Sequence, residues 1–140
     1  MSQGIFSLII TDDDPEDRDF ISEALRNKGF SGVAGIFGNG RELVNYLRAD
    51  AKNRPDLILL DLNMPIFDGY QTLQELQGTE KWKDIPVMVL TSSFNENDEV
   101  FCRTNGCTDY IRKPMSFSEF EELAERIIGM LPSNRSAQLV

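Results

Sequence analysis

The sequence predicts an α/β protein built on a parallel β-sheet, and three observations carry that expectation. Short apolar runs recur along the chain, at residues 5–10, 57–60, 86–90 and 110–111, and the run at 57–60 is unbroken. Runs without polar alternation belong to strands buried on both faces, as in a parallel sheet covered by helices. Segments with helical apolar spacing lie between the runs, the alternation expected of successive β-α units. Each run also ends on polar side chains: Thr11-Asp12-Asp13-Asp14, Asp61, Thr91-Ser92 and Lys113-Pro114. The carboxyl ends of strands are where open α/β sheets hold their ligands.

After the first strand, Asp14-Pro15-Glu16-Asp17 reads as a helix start, with a carboxylate N-cap, proline at the first helical position and acids in the first turn. Phe20, Ile21, Ala24 and Leu25 mark its apolar face, and Gly29 suits its end. A weaker strand is expected over 32–37. Asn39 and Glu42 have capping-box spacing ahead of Leu43, Val44 and Leu47. Beyond Asp61, the turn Asn63-Met64-Pro65 leads to Asp68-Gly69, where Asp68 is read as the cap of a helix carrying Tyr70, Leu73 and Leu76 and stopped by Gly78. A polar, weakly amphipathic helix is expected over 95–103. Ser116 and Glu119 form another capping-box pair before Phe120, Leu123, Ala124, Ile127 and Ile128. A single domain is expected over 1–131, and 132–140 reads as a short, disordered polar tail. No linker marks a second domain, and too little chain follows Ile128 for an effector module.

The 140 residues suffice for a sizeable core, and the 41% apolar and 26% charged content is that of an ordinary globular protein. A net charge of -9 argues against an electrostatic nucleic-acid binder. No apolar stretch approaches the ~20 residues needed to cross a bilayer, and the expected location is the cytoplasm. Cys102 and Cys107, the two cysteines, are read as reduced and structural. The chain has no histidine, which excludes a histidine triad, a histidine metal site and a phosphohistidine relay within it.

The remaining chemistry rests on carboxylates, a hydroxyl and a lysine. If the strands are adjacent, Asp12, Asp13 and Asp61 share one shallow pocket and repel one another, which a hard divalent cation would relieve. Mg2+ prefers oxygen ligands in octahedral geometry. Asp13 and Asp61 are the expected direct ligands, Asp12 binds directly or through water, and the backbone carbonyl of Asn63 completes the protein share. A carboxylate beside such an ion can act as a nucleophile toward a phosphoryl group. Asp61 is the expected acceptor, with Thr91, the Ser92 backbone N–H and Lys113 serving the oxygens of the transferred group.

At these residues the sequence resembles the receiver domains of two-component response regulators. The matching features are Asp12-Asp13, Asp61 within Leu59-Leu60-Asp61-Leu62-Asn63-Met64-Pro65, and Asp68-Gly69. They continue with Ile85-Pro86-Val87-Met88-Val89-Leu90-Thr91 and Asp109-Tyr110-Ile111-Arg112-Lys113-Pro114. The resemblance spans about residues 5–130. It implies a flavodoxin-like, doubly wound five-stranded parallel sheet of order 2-1-3-4-5 with helices on both faces. It implies phosphorylation of Asp61 by a histidine kinase or a histidine phosphotransfer protein, without turnover as an enzyme. Thr91 and Tyr110 take the switch roles, with Tyr110 turning inward, and Lys113-Pro114 is expected to be cis. Asp12-Asp13-Asp14-Pro15-Glu16-Asp17 and Lys81-Trp82-Lys83-Asp84-Ile85-Pro86 are similar to the stand-alone, chemotaxis-regulator-like proteins grouped with bacteriophytochromes. Output would be protein contact through the Asn95 helix, the Tyr110 strand and the Ser116 helix, as a homodimer, on a target or in a relay.

Two other classes compete. A haloacid-dehalogenase-type phosphatase shares the aspartate nucleophile, but Asn63 stands where its general acid belongs. A flavin carrier shares the topology, but here the strand ends are acidic and lack a Ser/Thr/Gly-rich phosphate loop.

Overall fold

Five strands, β1 (Leu8–Thr11), β2 (Val33–Phe37), β3 (Leu57–Asp61), β4 (Val87–Thr91) and β5 (Asp109–Arg112), form one sheet in the order β2-β1-β3-β4-β5. Every pairing is parallel. The structure is a computed structural model that describes residues 6–64 and 67–130. Ile5, Pro65 and the tail 132–140 lie outside the described residues.

The strands are joined by α1 (Pro15–Asn27), α2 (Gly40–Ala49), α3 (Gly69–Gln77), α4 (Glu96–Thr104) and α5 (Phe117–Ile128). Side chains on a strand point alternately to opposite faces, so each central strand feeds two cores. Leu57 and Leu59 of β3 join Ile21, Leu25, Phe120, Leu123 and Ile127 beneath α1 and α5. Ile58 and Leu60 join Leu43, Leu47, Leu73, Leu76 and Trp82 on the other face. That division explains the unbroken apolar runs of β1, β3 and β4, all of whose residues are buried. Strand β2, at an edge, alternates between half-buried and exposed positions, which is why its sequence signal is weak.

Local chemistry sets the helix ends. Asp14 caps α1 by accepting from the Glu16 N–H at 3.0 Å, and Gly29 follows its C-cap at a left-handed φ of 84°. At α2 and α5 the cap accepts as expected, Asn39 from Glu42 N–H and Ser116 from Glu119 N–H. The returning carboxylates reach one residue further back than a capping box requires, Glu42 to Gly38 N–H and Glu119 to Met115 N–H. Both halves of the box close at α3, between Asp68 and Gln71. Gly69 lets α3 start against the end of β3: a Cβ there would lie 2.4 Å from the Asp61 carbonyl oxygen.

The Lys113–Pro114 bond is trans, contrary to expectation, as are all peptide bonds among the described residues. The X–Pro isomers differ intrinsically by only about 0.5–1 kcal/mol, so the surrounding contacts choose. Here the Lys113 N–H donates to the Thr91 carbonyl at 2.7 Å, continuing the β4–β5 pairing as far as the lysine.

Candidate functional site

The strand order brings the polar ends of β1, β3, β4 and β5 together. Asp12 directly follows β1 and stays aligned with the sheet because its N–H donates to the Phe37 carbonyl at 2.9 Å. Asp61 ends β3 and Thr91 ends β4, and Lys113 is the residue after β5. The Lys113 ammonium lies 2.9 Å from Asp12, 2.9 Å from Asp17 and 3.5 Å from Asp61. Asp12, Asp13 and Asp61 each present one oxygen within 4.8 Å of the others, Asp12 and Asp61 from buried positions and Asp13 from an exposed one. Asp13, Asp17, Asp61, Asn63, Ser92 and Lys113 line the shallow pocket above them.

Backbone donors orient two of these carboxylates. Asp12 accepts from the Asp14 N–H at 2.9 Å, and Asp61 from the Asn63 N–H at 3.2 Å. The other Asp12 oxygen, Oδ2, is buried and faces the Lys113 ammonium at 2.9 Å. Arg18 donates to the Asp12 carbonyl and pins that strand end.

Burial dominates the electrostatics. It pushes Asp61 up to about 7, with the Asp12 charge adding to the effect and Lys113 opposing it. Burial also raises Asp12, against the pull of its hydrogen bonds. For Lys113, burial alone would favour the neutral amine, but hydrogen bonds to Asp12 and Asp17 and the charge of Asp61 hold its pKa above the ordinary value. The lysine therefore stays charged. Four carboxylates around one ammonium leave excess negative charge, and the three mutually close oxygens could hold a metal ion.

Thr91 is fully buried, and its hydroxyl accepts from the Ser93 N–H at 3.0 Å. Tyr110 already faces inward, 3% exposed, with its hydroxyl accepting from the Asn95 N–H at 3.4 Å and its ring 5.0 Å from that of Phe94. The Thr91 side chain lies close enough to that hydroxyl to act on it, which places the tyrosine between the pocket and the start of α4.

Sequence reasoning assigned Asp17 only to the first turn of α1, yet it shares Lys113 with Asp12. Helical side chains lean toward the N-terminus. Asp17 thus overhangs the turn holding Asp13 and Asp14, a signal that was present in the sequence.

The sequence matches the family described as response regulator receiver domain over residues 8–125. It is 30% identical over 125 residues to the probable methanogenesis regulatory protein FilR2 of Methanothrix harundinacea, covering 87% of this chain and 81% of that protein. Other curated relatives are longer, and the chain spans about half of their length or less. Among solved structures it is similar to the phosphorylated cyanobacterial phytochrome response regulator RcpA, at 32% identity and a TM-score of 0.79, covering 89% of this chain and 91% of that one. The Mn2+-bound form of the response regulator Rcp1 is 28% identical with a TM-score of 0.74, covering 89% and 93% of the two chains. Matched sequence, strand order and structural likeness coincide over nearly the same residues, and the chain belongs to the response regulator receiver domains, the signalling modules of two-component systems.

Proposed function

We propose that this domain accepts a phosphoryl group on Asp61 from the phosphohistidine of a histidine kinase or a histidine phosphotransfer protein. The observation that carries this reading is the convergence of Lys113 on Asp61 and Asp12 from a strand two places from β3 and three from β1. An Asp61 oxygen attacks phosphorus, the P–N bond of the donor breaks, and an acyl phosphate remains on Asp61. Lys113, the Thr91 hydroxyl and the Ser92 N–H then meet the equatorial oxygens. The Lys113 charge also favours the ionised form of Asp61, which the attack requires.

The acidic cluster suits Mg2+: one oxygen each of Asp12, Asp13 and Asp61 lies within ion-sharing reach of the others. Asp12, Asp13, Asp61 and the Asn63 carbonyl would hold it, and it would neutralise charge on the phosphoryl oxygens. The Mn2+-bound form of Rcp1 and the phosphorylated form of RcpA support both parts of the reading.

The added charge of about -1.5 to -2 on Asp61 draws Thr91 toward the phosphoryl oxygens. The Thr91–Tyr110–Asn95 contacts relay that movement to α4, β5 and α5, the face through which the domain binds a target or a second copy. Such signalling takes place in the cytoplasm. The domain dephosphorylates itself slowly and does not turn over as a phosphatase, since Asn63 supplies no general acid. Among the described residues no helix is long and apolar enough to cross a membrane.

Incubation with a small acyl phosphate and Mg2+ tests the assignment. The native chain should take up one phosphoryl group and Asp61→Asn none. Full labelling of the variant on another residue overturns the reading.

A further inference from the structure

Two cysteines meet at the C-terminal end of α4. The helix ends at Thr104, Asn105 is its C-cap, and Gly106 follows in the left-handed region at φ 88°. The Cys107 N–H donates to the Cys102 carbonyl at 2.9 Å, and the Gly106 N–H donates to the Arg103 carbonyl at 3.2 Å. This pair of bonds is a Schellman motif, which places the side chains on either side of the longer bond in contact, ordinarily as an apolar pair. Here both positions are cysteine, and the two thiols lie within hydrogen-bonding range of each other.

The shared backbone bond also limits the span. Standard backbone dimensions keep the two Cα atoms within about 6.8 Å, inside the range that disulfides occupy. The turn is held from both sides. Gln77 lies against Gly106, where a Cβ would meet its Oε1 at 2.0 Å, and the Thr108 N–H donates to the Val87 carbonyl at 2.7 Å. Cys102 is the one fully buried side chain of α4, whereas Cys107 is 8% exposed. The hydrogen bond from Cys102 lowers the Cys107 thiol below its ordinary range, and nearby Arg103 acts in the same direction.

We propose that Cys102 and Cys107 are a peroxide-responsive dithiol that closes to an intramolecular disulfide across the C-cap of α4. The Cys107 thiolate attacks one oxygen of hydrogen peroxide, and the O–O bond breaks. Hydroxide leaves and takes up the thiol proton as water, and Cys107 becomes a sulfenic acid. The Cys102 sulfur then attacks the Cys107 sulfur, the S–O bond breaks, and a second water carries away the Cys102 proton. Two thiols lose two electrons and one peroxide gains them.

The dithiol sits at the amino end of β5, across the sheet from the acidic pocket, and does not depend on the chemistry of Asp61. Its consequence for signalling does rest on the proposed function: the bond ties the last turn of α4 to the entry of β5, within the switching face.

The test treats the native full chain with a small excess of hydrogen peroxide, then unfolds it, alkylates free thiols and measures the intact mass. The expected result is a monomer that has lost two hydrogens and both alkylatable thiols, with dithiothreitol restoring both. In Cys107→Ser, loss of the Cys102 thiol should be at least about tenfold slower, because the more accessible, attacking thiolate is gone. Two alkylated thiols in the treated native chain, added oxygen in place of lost hydrogen, or a disulfide-linked dimer would overturn the proposal. So would equally fast loss of Cys102 in the variant. The native chain alone decides if the variant does not fold.

Discussion

Replacing Asp61 by asparagine should stabilise the metal-free domain above neutrality and flatten its dependence on pH. Below pH 3.8 the carboxyl is protonated in folded and unfolded chains alike. Between 3.8 and about 7 the folded chain retains a proton that the unfolded chain has released. Stability therefore falls as pH rises through that window, and the full penalty is present above it. At 1.36 kcal/mol for each pH decade the penalty approaches about 4 kcal/mol. Asp12, raised in the same direction, shares the titration, so the gain expected from Asp61→Asn above neutrality is about 2–4 kcal/mol. Asparagine keeps an oxygen for the Asn63 N–H and nearly the same volume, so little packing is lost. Urea unfolding in EDTA, followed through Trp82, the single buried tryptophan, measures the effect at about pH 5 and about pH 8. Curves for the native chain and the variant that differ by the same amount at both pH values would refute the reasoning, as would a less stable variant at the higher pH.

Saturating Mg2+ should remove the acid-to-neutral slope of the native chain and add about 2.7 kcal/mol at a hundredfold excess over its dissociation constant, measured by thermal unfolding with and without EDTA. Gly69→Ala should cost about 1–3 kcal/mol, because its methyl meets the Asp61 carbonyl; chemical denaturation that finds no loss would contradict that packing. Asp68→Ala removes half of the closed capping box of α3 and should cost about 1 kcal/mol in the same assay. Thr91→Ala should still accept phosphate on Asp61 yet lose the change in Tyr110 fluorescence or chemical shift on phosphorylation, since the hydroxyl that links them is gone.

Much of the fold is legible because its signals are local. The apolar runs of β1, β3 and β4 are unmistakable, since each strand is covered on both faces. Asp14, Asn39, Asp68, Asn95 and Ser116 each cap a helix within reach of their own neighbours. The reading weakens where a residue's environment comes from elsewhere. Strand β2 has one neighbour and no full burial, and α4 buries Cys102 alone, so both carry diluted patterns.

What the chain determined by itself is its inventory and its punctuation: carboxylates, a threonine and a lysine at the ends of apolar runs, no histidine, and helix caps in register. Those depend on backbone rules that act over a few residues. The three-dimensional arrangement decided which of these groups share space. It gave Lys113 a third carboxylate in Asp17, kept Lys113–Pro114 trans, turned Tyr110 inward and set Cys102 against Cys107. Burial raised Asp61 to about 7, and no pattern of neighbours along the chain encodes the loss of water around it. Desolvation and charge pairing depend on distances across the sheet, and strand order fixes those distances.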